Sequence, residues 1–438
     1  MPAPDRARAR ALLEELYAAA VGAAAPGPAL ERALAGVVPV GPVRLFALGK
    51  ASLAMAETAV AVLTARGRSP AGGIVVPPVE GPAPHPRVPV VPGDHPEPGE
   101  RSRTAAAALA RTAADTKPGD EAWVLLSGGA TSLLGAPVDG LHPADLTELY
   151  RLLLGSGLDI SAMNRIRKRF SRWGAGRLAA ALAAARIRVF VVSDVIGDDL
   201  PSIGSGPCVP DPTTAAEVRQ ALEAAGLTAR IAPALLELLR EVEAGRAAET
   251  PKPDHPAFAR IETRLIVSNR LALEAAAARA AALGCAARIV ETPLAGEAAS
   301  TGRHIADGLL RYARGSTGQQ PQCVIWGGET TVTLGPDAAG LGGRSQELAL
   351  AAAEVLAGDT SDSSVNLLAA GTDGRDGPTD AAGAVVDGTT WAAVRRAGRD
   401  PARDLAAHDA YRALDAAGAL LRPGLTGTNV MDVAIGLW

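Results

Sequence analysis

The stretch "WVLLSGGATSLLGAP", Trp123–Pro137, decides how the fold is read. It begins as an unbroken apolar run and stops at Ser127, Gly128 and Gly129. A strand without polar alternation is buried on both faces, as in a parallel sheet covered by helices. Two glycines at its end let backbone approach a ligand, and Ser127, Thr131 and Ser132 add hydroxyls. The same residues also suit an ordinary strand–helix turn, so the rest of the chain must choose between the two.

Working outward, "VRLFALG" (43–49), "GGIVVPP" (72–78) and "RVFVVSD" (188–194) repeat the pattern. Alanine-rich helical stretches at 51–66, 99–116 and 175–185 lie among these runs. A second series follows at 264–269, 287–293, 323–329 and 366–374. Between the series, "EAGRAAETPKPDHPAF" (243–258) carries prolines and charges with no apolar period, and reads as an interdomain linker. The 438 residues suit two domains rather than one core.

Composition excludes several classes. Hydrophobic residues make up 48% and charged residues 21%, the balance of a globular protein. A net charge of −4 with only 3% aromatics argues against a nucleic-acid partner. Cys208, Cys285 and Cys323 show no paired spacing, which argues against a zinc site or a disulfide framework. The apolar runs fall short of the ~20 residues that a membrane span needs. A cytoplasmic protein without membrane contact is the expectation.

The ends of the apolar runs carry the candidate chemistry. In open α/β sheets ligands bind beyond the carboxyl ends of strands. Those ends read "ALGKAS", "LLSGGATS", "VVSDVIGDD", "IVSNR", "WGGETT" and "AAGTDGRDGPTD". Free backbone N–H groups and helix starts of this kind suit phosphate. Lys50 stands past the first strand, outside any Walker A motif. It is aimed at an anion or is a solvated lysine. Asp194, Asp198 and Asp199 follow a strand end, where carboxylates hold Mg²⁺ or merely cap turns. Ser205 lies in the turn beyond them. Asn269, Gly327, Gly328, Glu329 and Asp373 belong to the later strand ends. Arg344, after "GLGG", can grip a carboxylate or phosphate with two parallel bonds, or be tied down by Glu347. The basic run "NRIRKRFSRWGAGR" (164–177) reads as a solvated face with one or two residues near the site.

With these pieces in place, the chain resembles the glycerate 2-kinase family. Its members join an N-terminal glycerate-kinase domain to a C-terminal domain called MOFRL, for "multi-organism fragment with rich leucine". The resemblance spans nearly the whole chain in order. It runs through "ALGKAS", "GDHPEPGE", "LLSGGATSLL", "NRIRKRFS", "VVSDVIGDDLPSIGSGPCVPDPTT", "ETPK", "IVSNRLALEAA", "GGETTVTL", "GGRSQELALA", "AGTDGRDGPTDAAGAVVDG" and "TGTNVMD".

The resemblance implies two α/β domains. Residues 1–250 would form a Rossmann-like three-layer α/β/α domain with a mostly parallel sheet, and 251–438 the second domain. It implies ATP-dependent phosphorylation of D-glycerate, usually on the 2-hydroxyl, with ATP and Mg²⁺ as cofactors. It points to Lys50 and Arg344 as charged residues meeting across the interdomain cleft.

On that view Lys50, Arg344 and Asp194 are catalytic, with the first two on the phosphoryl group or the glycerate carboxylate. Ser127, Gly128 and Gly129 cradle oxygens, joined in binding by Ser205, Asn269, Gly327, Gly328, Glu329 and Asp373. Asp194 and Asp198 are metal candidates. Asp194 alternatively accepts the hydroxyl proton, for which His95 is a second candidate. The chain departs from the family pattern at Arg169, where a His is frequent, and at Gly174-Ala175-Gly176, where Lys-Gly-Gly is frequent.

Two other classes stay open: an NAD(P)H-dependent hydroxypyruvate reductase and a non-catalytic nucleotide or anion binder. A dinucleotide enzyme should carry Gly-x-Gly-x-x-Gly after an early strand, which is not found. Oligomeric state is open, a homo-oligomer included.

Overall fold

A computed structural model describes residues 6–315, 320–335, 340–359 and 364–438. The chain folds as two compact units.

The first unit, Pro26–Ile266, is built on a five-stranded sheet. Its strands are β1 (Val43–Leu48), β2 (Gly72–Val76), β3 (Glu121–Leu126), β4 (Arg186–Val192) and β5 (Ile261–Val267), in the order β2-β1-β3-β4-β5. Strands β1 to β4 run parallel. The apolar runs predict this well: every residue of β2 and β3 is buried. Phe46, Trp123 and Phe190 are fully buried within it, Trp123 meeting Phe190 edge-on at 6.2 Å between ring centres. Chain direction across the sheet reverses between β1 and β3, which makes their carboxyl ends the switch point where such sheets bind ligands.

The second unit holds the helix Arg6–Ala23 and everything from Val267. Its sheet runs β10-β9-β8-β11-β7-β6. The strands are β6 (Ala286–Ile289), β7 (Gln322–Gly328), β8 (Asn366–Gly371), β9 (Gly383–Asp387), β10 (Leu420–Leu421) and β11 (Asp432–Leu437). Only β6 and β7 pair in parallel; β11 runs antiparallel to both β7 and β8. The carboxyl ends of β7 and β8 and the amino end of β11 therefore share one edge, with Asp432 opposite both Gly328 and Gly371. The helix Arg344–Ala357 is buried along nearly its whole length.

Two expectations differ from this arrangement. The division at 250/251 does not follow the compact units: the helix Arg6–Ala23 packs with the second unit, and β5, read as the first strand of the later series, completes the first sheet. Tyr17 on that helix is buried and its hydroxyl donates to the Gly371 carbonyl at 2.8 Å, tying it to the end of β8. The segment 243–258 is no linker either. It returns into the first unit, where Thr250 is buried and donates to Asp211 at 3.1 Å. Its charged residues Glu249 and Lys252 join a local ion network with Arg169.

Candidate functional site

Each unit carries one cluster of the expected residues at a sheet edge. In the first unit the turns after β1 and β3 are stitched together. The Lys50 N–H donates to the Gly128 carbonyl at 2.9 Å, and the Ala51 N–H to the Ser127 hydroxyl at 3.0 Å. Ser127 is therefore not free to face a ligand: its side chain is buried as a brace between the two turns. Gly128 is buried beside it, and Gly129 is the half-buried residue of the turn. A Cβ on Gly128 would lie 1.7 Å from Asp194 Oδ2, so only glycine lets that carboxylate lie across the turn. Gly129 has φ +83°, and a Cβ there would press on the Lys50 stem at 3.2 Å and on His95 Cε1 at 3.4 Å. Lys50, His95, Gly128, Gly129 and Asp194 thus converge beyond the switch point.

The electrostatics of this edge are unsettled in one direction. Lys50 is exposed and forms no ion pair among the described residues. Burial raises the pKa of Asp194, against the pull of the Lys50 ammonium. Burial and Lys50 both lower the pKa of His95. A cation held near a destabilised carboxylate without a closed ion pair is a site prepared for further charge.

Ser205 stands beside this edge, its hydroxyl 2.9 Å from that of Thr131. Asp198 sits at φ +55° in a short turn and makes no side-chain hydrogen bond among the described residues. Nothing joins it to Asp194, and no group of three or more metal-ligating side chains occurs among the described residues. One strand-end carboxylate still suits Mg²⁺, which takes one or two carboxylates plus phosphate oxygens and keeps several waters. Asp194 fits that description; Asp198 is not brought to it.

In the second unit Arg344 opens its helix and is fully engaged. Nε and Nη2 reach the two oxygens of Asp432 at 2.6 and 2.9 Å, and Nη1 reaches Glu329 at 2.5 Å. Glu347, the alternative partner that the sequence offers, pairs with His408 Nδ1 at 2.9 Å. Asp432 is buried, and burial raises its pKa against the pull of Arg344. Asp373 and Glu329 add further negative charge around it.

Asn269 donates to the carbonyls of Val430 and Asp432 at 2.7 and 3.1 Å, fixing the approach to β11. Gly327 makes room for it: a Cβ there would lie 1.8 Å from Asn269 Oδ1. Gly328 ends β7 opposite Asp432. Asp376 accepts from the Ser345 and Gln346 N–H groups, capping the Arg344 helix, while burial pushes it up to about 7. The sequence alone assigns no role to Asp432 or Tyr17. "TGTNVMD" was part of the resemblance, but pairing Asp432 with a residue 88 positions away needs the sheet.

The basic run is not a solvated face. Lys168 and Arg169 are both buried. Lys168 pairs with Asp211 at 2.9 Å, and Arg169 pairs with Glu249 and donates to Thr250 at 3.2 Å. Arg177 donates to the carbonyls of Lys168, Arg169 and Ser171 at the end of the helix Ile160–Phe170. Burial lowers its pKa to about 10. The departure at Arg169 is thus an interior contact. Ala175 and Gly176 donate to the carbonyls of Ser205 and Gly206, each at 2.8 Å.

Comparison with known proteins gives these clusters a context. The model for a domain of unknown function, DUF4147, matches residues 12–240, and that for the MOFRL family matches 322–432. A glycerate 2-kinase from Pyrococcus horikoshii is 36% identical, over 91% of this chain and 87% of the relative. The chain belongs to the glycerate 2-kinase family. The crystal structure of a glycerate kinase from Thermotoga maritima superposes with a TM-score of 0.86 at 34% identity, covering 97% of this chain and 98% of that one. A family relative from Agrobacterium vitis, 39% identical over 97% of this chain and 93% of its own, bears the name putative hydroxypyruvate reductase.

Proposed function

We propose that the chain transfers the γ-phosphoryl group of ATP to the 2-hydroxyl of D-glycerate, giving 2-phosphoglycerate and ADP. The observation that carries this is Lys50, without an ion pair among the described residues, at the switch point of a parallel sheet beside the turn of Gly128 and Gly129 and the Asp194 carboxylate. Phosphoryl transfer asks a protein mainly for positioning and charge neutralisation. Lys50 neutralises charge on the transferred group, and the turn after β3 offers close backbone approach. Asp194 is the residue that would hold Mg²⁺, which neutralises phosphate charge when bound. Arg344, held by Asp432 through Nε and Nη2, would meet an anionic substrate group through Nη1 in place of Glu329, the more exposed of its two partners. Asn269 and Gly327 hold that assembly in place.

Among the described residues no helix is long and apolar enough to cross a membrane. Free, buried cysteines suit a reducing compartment, and we place the protein in the cytoplasm.

The reductase reading draws on the names of some relatives. The turn after β1, "ALGKAS", lacks the glycine fingerprint that a dinucleotide needs. Purified protein given ATP, Mg²⁺ and D-glycerate should release ADP. NADH oxidation with hydroxypyruvate, and no ADP release, would establish the reductase instead.

A further inference from the structure

The loop that carries His95 places its imidazole against a serine hydroxyl that is also bonded to a backbone carbonyl. Ser132 Oγ lies 3.1 Å from the Gly129 carbonyl and 2.7 Å from His95 Nδ1. A carbonyl only accepts, so the single hydroxyl proton of Ser132 is used there. With that proton directed to the carbonyl, the hydroxyl accepts from His95, and the ring proton is assigned to Nδ1. Nε2 is left as a lone pair, with no hydrogen-bond partner among the described residues.

The loop is fixed rather than loose. The neighbouring Asp94 accepts from the N–H groups of Arg101 and Ser102 at 2.9 and 3.3 Å, capping the helix Glu100–Ala114. The Asp94 N–H donates to the Ser102 hydroxyl at 2.9 Å. His95 Cε1 and the Lys50 stem meet the same position, Gly129.

We propose that His95 is a catalytic residue whose Nε2 accepts the proton of the glycerate hydroxyl during phosphoryl transfer. This rests on the kinase reading above. In the step, the hydroxyl oxygen forms a bond to the γ-phosphorus, and the bond from that phosphorus to the bridging oxygen breaks. ADP leaves with the electron pair. The hydroxyl proton passes to Nε2, giving an imidazolium that still donates from Nδ1 to Ser132 and then loses its new proton to water.

The surroundings favour the neutral base. Lys50 faces the ring from the turn after β1, and with burial it disfavours the charged imidazolium. The turn Gly129–Leu133 presents no titratable group. Within its own loop, Asp94 is engaged in the helix cap and Glu97 is exposed. Asp194 lies across Gly128.

Two measurements on the full chain test this. His95→Gln should lower kcat for ADP release ~10²-fold, the scale of general-base catalysis, while KM for glycerate stays within about threefold. The acid limb of the wild-type pH–rate profile, below the ordinary histidine range, should disappear in the variant. Unchanged kcat and an unchanged acid limb in His95→Gln, with an active wild type, would overturn the proposal and leave the kinase reading intact. A wild type that never releases ADP would instead sink the kinase reading. The second measurement needs no turnover: nitrogen-15 NMR of the histidine rings at neutral pH should show His95 protonated on Nδ1, and Ser132→Ala should remove that preference. A ring protonated on Nε2 would overturn the assignment.

Discussion

Lys50 follows β1 after Gly49, and Arg344 opens its helix after Gly342 and Gly343, yet their surroundings are opposite. Lys50 has no ion pair among the described residues and leans on Gly129 beside a histidine and a half-buried aspartate. Arg344 is gripped by both oxygens of the buried Asp432 and by Glu329. The first cation awaits its counter-charge from outside; the second already has it. A free cation beside a glycine turn contributes to an anion's transition state and little to the fold. A cation that neutralises a buried carboxylate supports the fold as well as whatever it binds.

Substitutions at the two positions should therefore separate. Lys50→Ala should lower turnover ~10²–10³-fold, or about 3–4 kcal/mol on the barrier, as when one preorganised donor is removed. Its denaturation midpoint should stay near wild type. A marked loss of stability with intact kcat would erase the distinction between the two cations.

Arg344→Ala should cost about 3 kcal/mol of unfolding free energy, measured in denaturant, because Asp432 loses its buried partner. Arg344→Lys should recover only part of it, since a point charge cannot replace two parallel bonds. The deficit has a sign in pH. Asp432 has a raised pKa, so the folded state keeps its proton where the unfolded state has lost it, and stability falls as pH rises through that window. Without Arg344 the window widens upward, so the stability gap to wild type should grow from acid to neutral pH. A gap independent of pH would show that Asp432 does not depend on Arg344.

The smallest effect sharpens the comparison from inside the first unit. Burial would raise the pKa of Asp211, but Thr213 and the Lys168 ammonium hold it below the ordinary carboxylate range. Its contribution to stability is thus present above the unfolded pKa and is lost as pH falls through the lower folded one. Asp211→Asn should flatten that acid loss without touching the Lys50 edge. Acid titration of both proteins by circular dichroism would read the difference.

These contrasts also mark what the sequence could reveal. Strands β1 to β4 were legible because burial on both faces forces uninterrupted apolar runs, and their ends exposed Lys50, Gly128, Gly129 and Asp194. Strands β9 to β11 were missed: β10 has two residues, and β11 is "DVAIGL", short and partly built from small residues. With β11 unseen, Asp432 could not be matched to Arg344. The basic run misled for a similar reason. Arg169 reaches Thr250 across 81 residues, through the segment whose prolines resemble a linker. The helix Arg6–Ala23 carries no sign of its partner, because an apolar stripe does not say which sheet covers it. Spacing reveals the chemistry a turn can do, whereas long-range pairing decides which of its charges remain free.

The product of the reaction decides between the two hydroxyls of glycerate. Protein incubated with ATP, Mg²⁺ and D-glycerate would be followed by proton-coupled phosphorus NMR. Phosphorylation at the 2-hydroxyl gives a new phosphomonoester signal split into a doublet by the one hydrogen on carbon 2. A triplet from the two hydrogens on carbon 3, or no phosphomonoester at all, would contradict it.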